Sequence, residues 1–384
     1  MKIQLLNKIA AVGLNELGAG YEIGDTIANP DGIMVRSAKM HEMEFDKSLK
    51  AIARAGAGVN NIPIDRCSAE GIVVFNTPGA NANGVKELAI CALLLAARDV
   101  IGGIEWAKSL AGTADVAAQV EKGKSKFAGN EIAGKTLGVI GLGAIGGMIA
   151  NAAVELGMKV IGCDPFLSVD GAWNLDHRIT HAATYDEIFE KADYVTLHVP
   201  STKDTKNMIN AETIAKMKDG AKLINLARAD LVNADALKAA LAEGKISTYV
   251  TDFPTEDVLD VPHVIAIPHL GASTEESEDN CAVMAARQLD DYLQNGNIKN
   301  SVNYPMLSMP RSGAARICVL HANVPTILAQ ITMALSDEGI NIENLTNKSK
   351  GDNAYTVLDV ASAPSDAATA RINAIEGVVR VRVI

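Results

Sequence analysis

Cysteine is scarce in this chain of 384 residues. Cys67, Cys91, Cys163, Cys281 and Cys318 are scattered, odd in number and form no CxxC pair. That excludes a disulfide framework and a cysteine-built zinc site, and it suits reduced, buried thiols in a cytoplasmic protein. Positive charge is also lacking. The formal net charge is −11, which argues against a nucleic-acid partner, because such partners ask for a basic patch. Long hydrophobic runs are missing too. The longest, LAICALLLAA at 88–97, is too short to span a bilayer and reads as a buried helix. The opening MKIQLLNKIAAVGLNELG has no apolar centre of the kind a secretory leader needs. No metal site is expected. What the chain does have is core-forming material. Hydrophobic residues make up 48% and charged residues 21%, the composition of a folded chain with two or three domains.

Apolar runs alternate with helical stretches along most of the length. GIMVR from 32, AIARAG from 51 and GIVVFN from 71 read as strands, and a helix is expected from about Val85 to Gly102. From Thr136 onward the series TLGVIG, KVIGCD, ADYVTLHVP, AKLINLAR, STYVTDF and HVIAIPH is almost continuously apolar. Strands covered on both faces look like this. The expected class is therefore α/β, with two doubly wound Rossmann-like domains. A long helix, TEESEDNCAVMAARQLDDYLQNG, returns the chain to the first domain. The proline-containing stretch that follows reads as a linker. Beyond it the order is βαββαβ, a ferredoxin-like pattern. The expected boundaries are 1–84 with 275–304 for a substrate-binding domain, 85–274 for a nucleotide-binding domain, 305–314 for the linker and 315–384 for the last module.

GLGAIG places glycines at 141, 143 and 146. Alone this spacing is weak evidence. Here it follows a strand, opens a helix and precedes a second strand that ends in Asp164, the full context of a dinucleotide fingerprint. Gly141 allows a tight turn, Gly143 a close approach of the pyrophosphate, and Gly146 close helix–strand packing. The helix start at Ala144 and Ile145 offers N–H groups to phosphates. Asp164 is placed to accept bonds from the adenosine ribose. Its charge repels a 2′-phosphate and Pro165 brings no cation, so NAD is expected rather than NADP.

Three polar residues stand at or past later strand ends: Arg228, Glu256 and His269. Singly, an arginine there is most often a surface charge and a histidine a loop residue. Together with the fingerprint they resemble an active site, and the strings GLGAIG, LHVPSTKDTKNMI, LINLARADLV and IPHLGAST are similar to the D-isomer-specific 2-hydroxyacid dehydrogenase family over most of residues 30–300. That resemblance implies three roles. Arg228 holds the substrate carboxylate and carbonyl oxygen, His269 exchanges the hydroxyl proton, and Glu256 steadies the imidazolium. Counting without gaps from Arg228 puts Asp257 in the glutamate's place, whereas the string FPTE puts Glu256 there. The family pattern also implies cofactor contacts at His198, Pro200, Ala227, Asp252 and Gly271. His41, His177, His181 and His263 read as loop residues.

Arg36, Ser37 and Lys39, with Arg54, Gly56, Gly58 and Asn60, gather groups that suit a phosphate; the plainer reading is solvated surface charge. Asn81 matches the family's substrate side. A phosphorylated 2-hydroxy acid is therefore the expected substrate. The last module resembles an ACT domain, a regulatory fold, and the resemblance places His321, Asn323 and Asn341 as contacts for an effector such as L-serine. Where that family has a glycine, this chain has Thr326. The resemblance also implies a homodimer or homotetramer. The alternatives are a glyoxylate or hydroxypyruvate reductase and a non-enzymatic NAD-sensing protein.

Overall fold

The computed structural model describes residues 1–384. The chain divides into two units, Met1–Asn81 with Glu275–Ile384, and Ala82–Thr274. In the first, β1 (Lys2–Leu5), β2 (Glu22–Gly24), β3 (Gly32–Val35), β4 (Ala51–Arg54) and β5 (Val73–Phe75) form a parallel sheet in the order β2-β1-β3-β4-β5. β3 and β5 are buried along their whole length, as their unbroken apolar runs dictate. β1 and β2 were not expected. β1 buries only Ile3 and β2 has three residues, so neither carries a periodic signal.

The second unit holds β6 (Thr136–Ile140), β7 (Lys159–Cys163), β8 (Thr180–His181), β9 (Tyr194–Leu197), β10 (Ala221–Asn225), β11 (Ile246–Thr251) and β12 (Val264–Ala266). These strands are parallel, in the order β12-β11-β10-β9-β6-β7-β8. The order reverses at β6, between β9 and β7, and ligands bind beyond strand ends at such a point. His181 lies on the exposed edge strand β8 rather than in a loop. The single helix expected at 85–102 is two helices, Ala82–Ala97 and Val100–Ser109. Asp99 breaks it, because its side chain accepts from the Gly102 N–H at 2.9 Å and so caps a new helix.

The helix Glu275–Asn295 belongs to the first unit, where Ala282, Ala285, Ala286 and Leu289 enter its core. β13 (Ala315–Ala322), β14 (Ile342–Lys350), β15 (Asn353–Val360) and β16 (Val378–Val383) then form an antiparallel sheet in the order β14-β15-β13-β16. One face carries Ile317, Val319, Leu358 and Val360 toward the helices Ile327–Ser336 and Asp366–Asn373. The other face carries Cys318, Leu320, Tyr355 and Val357 into one core with Phe75, Tyr292 and Tyr304. Residues 305–314, expected to be a linker, are part of this packing. Leu307 and Met309 are buried in the same core, and Leu307 bridges to Ile298. No helix in the chain is long and apolar enough to cross a membrane.

Candidate active site

Three glycines build the turn after β6, each for its own reason. Gly141 sits at φ +90°, and a Cβ there would lie 2.6 Å from the His198 carbonyl oxygen. Gly146 packs so closely that its Cβ would lie 1.9 Å from the Gly141 carbonyl oxygen. Gly143 caps the helix Ala144–Glu155, and nothing stands within 4 Å of its Cβ position. Two glycines therefore close the turn, and the third leaves the helix N-terminus at Ala144 and Ile145 open to an anion.

Asp164 follows β7. Its Oδ2 accepts from the Leu142 N–H and its Oδ1 from the Phe166 N–H, both at 2.9 Å. The carboxylate is thereby aimed at a cleft of about 400 Å³ lined by Gly143, Ala144, Asp164, Phe166 and Asn174 among others. Pro165 is exposed and does not line it. His198, just past β9, bonds Thr196 Oγ1 through Nε2 at 2.8 Å. Burial lowers its pKa to about 3, so the imidazole is neutral at pH 7. Its backbone, not its charge, supports the glycine turn. Pro200 is exposed, and its carbonyl accepts from the Thr205 hydroxyl at 2.6 Å.

The loops after β10, β11 and β12 bring Arg228, Asp252, Phe253 and His269 together. Asn225, fully buried, sets the first loop. Its Oδ1 accepts from the N–H groups of Ala227 and Arg228 at 3.2 and 3.3 Å, and its amide donates to the Arg228 carbonyl at 2.8 Å. Arg228 is exposed, with its guanidinium 5.4 Å from the Phe253 ring centroid. The Phe253 and His269 rings are 4.3 Å apart, tilted by 45°. Asp252 is 1% exposed. Its Oδ2 accepts from the Gly271 N–H at 3.1 Å, while its buried Oδ1 has no partner. Burial pushes the Asp252 carboxyl up, and the Gly271 N–H, His269 and Arg228 act against that rise. Glu256 is exposed and its carboxylate meets no partner, His269 included. Asp257 lies in the field of Lys238 instead. The structure thus brings Arg228 and His269 beside Asp252 and does not bring Glu256 to them.

In the other unit, the Arg54 Nε donates to the Arg36 carbonyl at 3.0 Å, and its Nη1 donates to the Gly58 carbonyl. A Cβ on Gly56 would lie 2.8 Å from Arg54 Nη1, so the glycine makes room for the guanidinium. Asn60 stands by Gly58, and Ser37, Lys39 and Asn60 are exposed. Arg36 pairs with Glu278 at 2.6 Å. One organiser was missed from sequence: Asn7 Oδ1 accepts from the N–H groups of Arg36, Ser37 and Ala38 at 2.9, 3.0 and 3.0 Å. An asparagine two residues past a strand is the only local signal for it, and β1 itself carries no periodic pattern. Asn81, half-buried, closes the N-terminal part of this unit.

The three effector candidates do not meet within one chain. His321 is buried and bonds Thr356 Oγ1 and the Ala322 carbonyl at 2.8 and 2.7 Å. Asn323 donates to the Gly351 carbonyl, near the hairpin end of the sheet. Asn341 donates to Glu343, just before β14. His321 pairs with Ala354 and Ile342 with Val360, so Asn341 lies at the far end, roughly 20 Å along the sheet. Thr326 adopts the left-handed conformation, φ 73°.

The polar groups of the second unit fit a dinucleotide. Open helix N–H groups at Gly143 suit the pyrophosphate, the fixed Asp164 carboxylate suits the ribose, and the unpartnered Asp252 oxygen suits the carboxamide of a nicotinamide ring. Residues 96–271 match the family described as D-isomer specific 2-hydroxyacid dehydrogenase, NAD binding domain. The chain is 36% identical to a D-3-phosphoglycerate dehydrogenase of Synechocystis over 80% of its own length and 54% of that protein's. It is 30% identical to a D-3-phosphoglycerate dehydrogenase of Haemophilus influenzae, over 95% of this chain and 89% of that one. A solved structure of the NAD⁺-bound 3-phosphoglycerate dehydrogenase of Entamoeba histolytica superposes with a TM-score of 0.60 at 29% identity, covering 80% of this chain and 99% of that one. Against the first of these curated relatives the chain spans about half the relative's length.

Proposed function

Because the chain belongs to the D-isomer-specific 2-hydroxyacid dehydrogenase family, we propose that it is a D-3-phosphoglycerate dehydrogenase, oxidising 3-phospho-D-glycerate to 3-phosphohydroxypyruvate with NAD, the first step of L-serine biosynthesis. The observation that carries this reading is the 30% identity to the Haemophilus influenzae enzyme across 89% of its length. The open helix start after Gly143, the Asp164 carboxylate and Asp252 would hold NAD, which would supply the hydride acceptor for the substrate's C2. Everything else falls to side chains. Arg228 forks onto the substrate carboxylate and its 2-oxygen, a charge-assisted contact open to its exposed guanidinium, whose Nη1 now donates to the Ala227 carbonyl at 2.6 Å. His269 takes the 2-hydroxyl proton as the hydride leaves, and returns it in reduction. The ring of His269 is hydrogen-bonded to no other side chain, so both nitrogens are available. Asp252 holds the Gly271 turn beneath it.

Arg36, Lys39 and Arg54 are proposed to hold the phosphate, with the backbone of Arg36–Ser37 set by Asn7. Arg36 exchanges Glu278 for the phosphate on binding. The last module is proposed to be an ACT domain of a short-form enzyme, with L-serine as effector. Asn341 is far from His321 and Asn323 in one chain. An effector that meets all three therefore needs two chains side by side, which supports a homodimer or homotetramer.

The test is NADH oxidation with 3-phosphohydroxypyruvate, hydroxypyruvate and glyoxylate, each with and without L-serine. A preference of roughly ten-fold or more in kcat/KM for the phosphorylated acid supports the phosphate site. Equal use of the unphosphorylated acids makes Arg36, Lys39 and Arg54 surface charges. Unchanged rates in millimolar serine remove the effector reading.

A further inference from the structure

Of the cations proposed to hold the phosphate, Arg36 is already occupied. Its Nη2 lies 2.6 Å from Glu278 Oε1, and both side chains are nearly half exposed. Glu278 stands in the first turn of the helix Glu275–Asn295. Its carboxylate is held in place from below, because Ala282, Ala285 and Ala286 of the same helix are packed in the core of this unit. About one turn on from Glu278, the buried Cys281 thiol feels Arg54, Arg36 and Glu278 together, so the ion pair belongs to the neighbourhood of Arg54. Arg54 in turn donates through Nε to the Arg36 carbonyl at 3.0 Å. The backbone has no need to move, since Asn7 Oδ1 holds the N–H groups of Arg36, Ser37 and Ala38. Only the Arg36 side chain is left to choose between Glu278 and an incoming anion.

We infer that Glu278 is a specificity-determining residue for the proposed reaction: its carboxylate occupies Arg36 as an internal competitor, which keeps free inorganic phosphate off the site and yields to a phosphorylated substrate. This inference rests on the reading of Arg36 as a phosphate contact. An exposed ion pair is weak in water, so a ligand can break it. A phosphate then gains charge-assisted bonds from the released guanidinium. The cost of breaking the pair falls on every ligand that needs Arg36. A phosphorylated 2-hydroxy acid absorbs that cost, because its carboxylate and 2-oxygen bring further contacts. Inorganic phosphate has no further contact and is turned away. An acid without a phosphate never meets the competitor. Specificity of this kind comes from a group that opposes the wrong ligand as well as groups that attract the right one. The plainer role of Glu278 is that of an acid favoured at a helix N-terminus by the helix dipole, and such a role predicts no change in phosphate binding.

The experiment compares the full-length wild type with Glu278→Gln, Arg36→Ala and the double variant, with inorganic phosphate as the probe. Binding is read by ³¹P NMR, and steady-state kinetics give the phosphate inhibition constant and the KM for 3-phosphohydroxypyruvate and for hydroxypyruvate. Glu278→Gln is expected to tighten phosphate binding and lower its inhibition constant roughly four-fold. The KM for 3-phosphohydroxypyruvate should fall by a similar factor, while that for hydroxypyruvate stays in place. In the Arg36→Ala background the gain should vanish, because the competitor acts through Arg36. Phosphate binding that is unchanged or weaker in Glu278→Gln overturns the inference, as does an equal gain with and without Arg36. If the wild type shows no preference for 3-phosphohydroxypyruvate over hydroxypyruvate, the proposed substrate falls, and the ³¹P titrations of the four proteins still decide whether Glu278 competes for Arg36.

Discussion

Two side chains carry conformational costs that can be measured directly. Burial holds His198 neutral, with its pKa lowered to about 3, against about 6.5 in an unfolded chain. The sign follows from proton counting. Between those values the unfolded state binds the extra proton, so stability falls as pH drops below about 6.5, by at most about 1.4 kcal/mol per unit. Thermal unfolding between pH 7 and 5 should show this slope, and His198→Asn should flatten it; equal slopes would mean that the ring ionises within the fold. Thr326 is a β-branched residue at φ 73°, where an L side chain crowds its own carbonyl. Thr326→Gly should therefore stabilise the protein by about 1 kcal/mol in urea titration, and a loss of stability would show that the threonine methyl or hydroxyl has packing that outweighs the strain. Legibility at this scale divides by sequence distance. The glycine turn and Asp164 are a contiguous code, and their geometry is the one the spacing implies. Asn7 and Asn225 are silent in the sequence, because one amide oxygen organises backbone N–H groups whose positions depend on the folded chain. Asn7 serves residues 29 to 31 positions away.

Among elements, long apolar strands were legible and short or interrupted ones were not. β6, β7, β9, β10 and β11 stand where continuous hydrophobic runs put them. β1 and β2 leave most of their residues only partly buried and look like loop. The break at Asp99 is hidden in the sequence because apolar residues continue on both sides of it, while a single capping bond decides the boundary. The β6–turn–helix element offers a sharper test. A methyl group on Gly146 would stand 1.9 Å from the Gly141 carbonyl, a backbone atom that cannot swing away. Gly146→Ala must therefore shift the turn that Gly141 and Gly143 form. NADH titration by fluorescence should show Kd raised by roughly ten-fold or more, with the far-ultraviolet spectrum unchanged. Unaltered affinity would mean the turn relaxes at no cost to the phosphate site.

At the scale of the whole molecule, the sequence suggested a tethered regulatory module, and the structure shows a shared core instead. The prolines of residues 305–314 look like a linker, yet Leu307 and Met309 are buried among residues of both sheets. Periodicity could not reveal this, because both faces of the antiparallel sheet are apolar and a pattern does not say which partner covers the second face. The seam is sealed by polar groups. Arg316 and Asp359 are fully buried and paired at 2.6 Å, and the Arg316 guanidinium also donates to the carbonyls of Asn295 and Pro310. Arg382 donates to the carbonyls of Tyr292 and Leu293, and Tyr355 donates to Gly296. Burial alone would push the Asp359 carboxyl up; the Arg316 guanidinium and the Ser312 N–H hold it below the usual carboxylate range. Its contribution is therefore complete above about pH 4 and is lost as pH falls through the lowered value. Asp359→Asn leaves a buried guanidinium without its counter-charge, which typically destabilises by about 3–5 kcal/mol. Because the core is common, that loss should not stay in the C-terminal module. Hydrogen exchange should show weaker protection in β3 and β4 as well as in β13 and β15. Protection lost from β13 and β15 alone would show that the module unfolds independently, as a tethered regulator does.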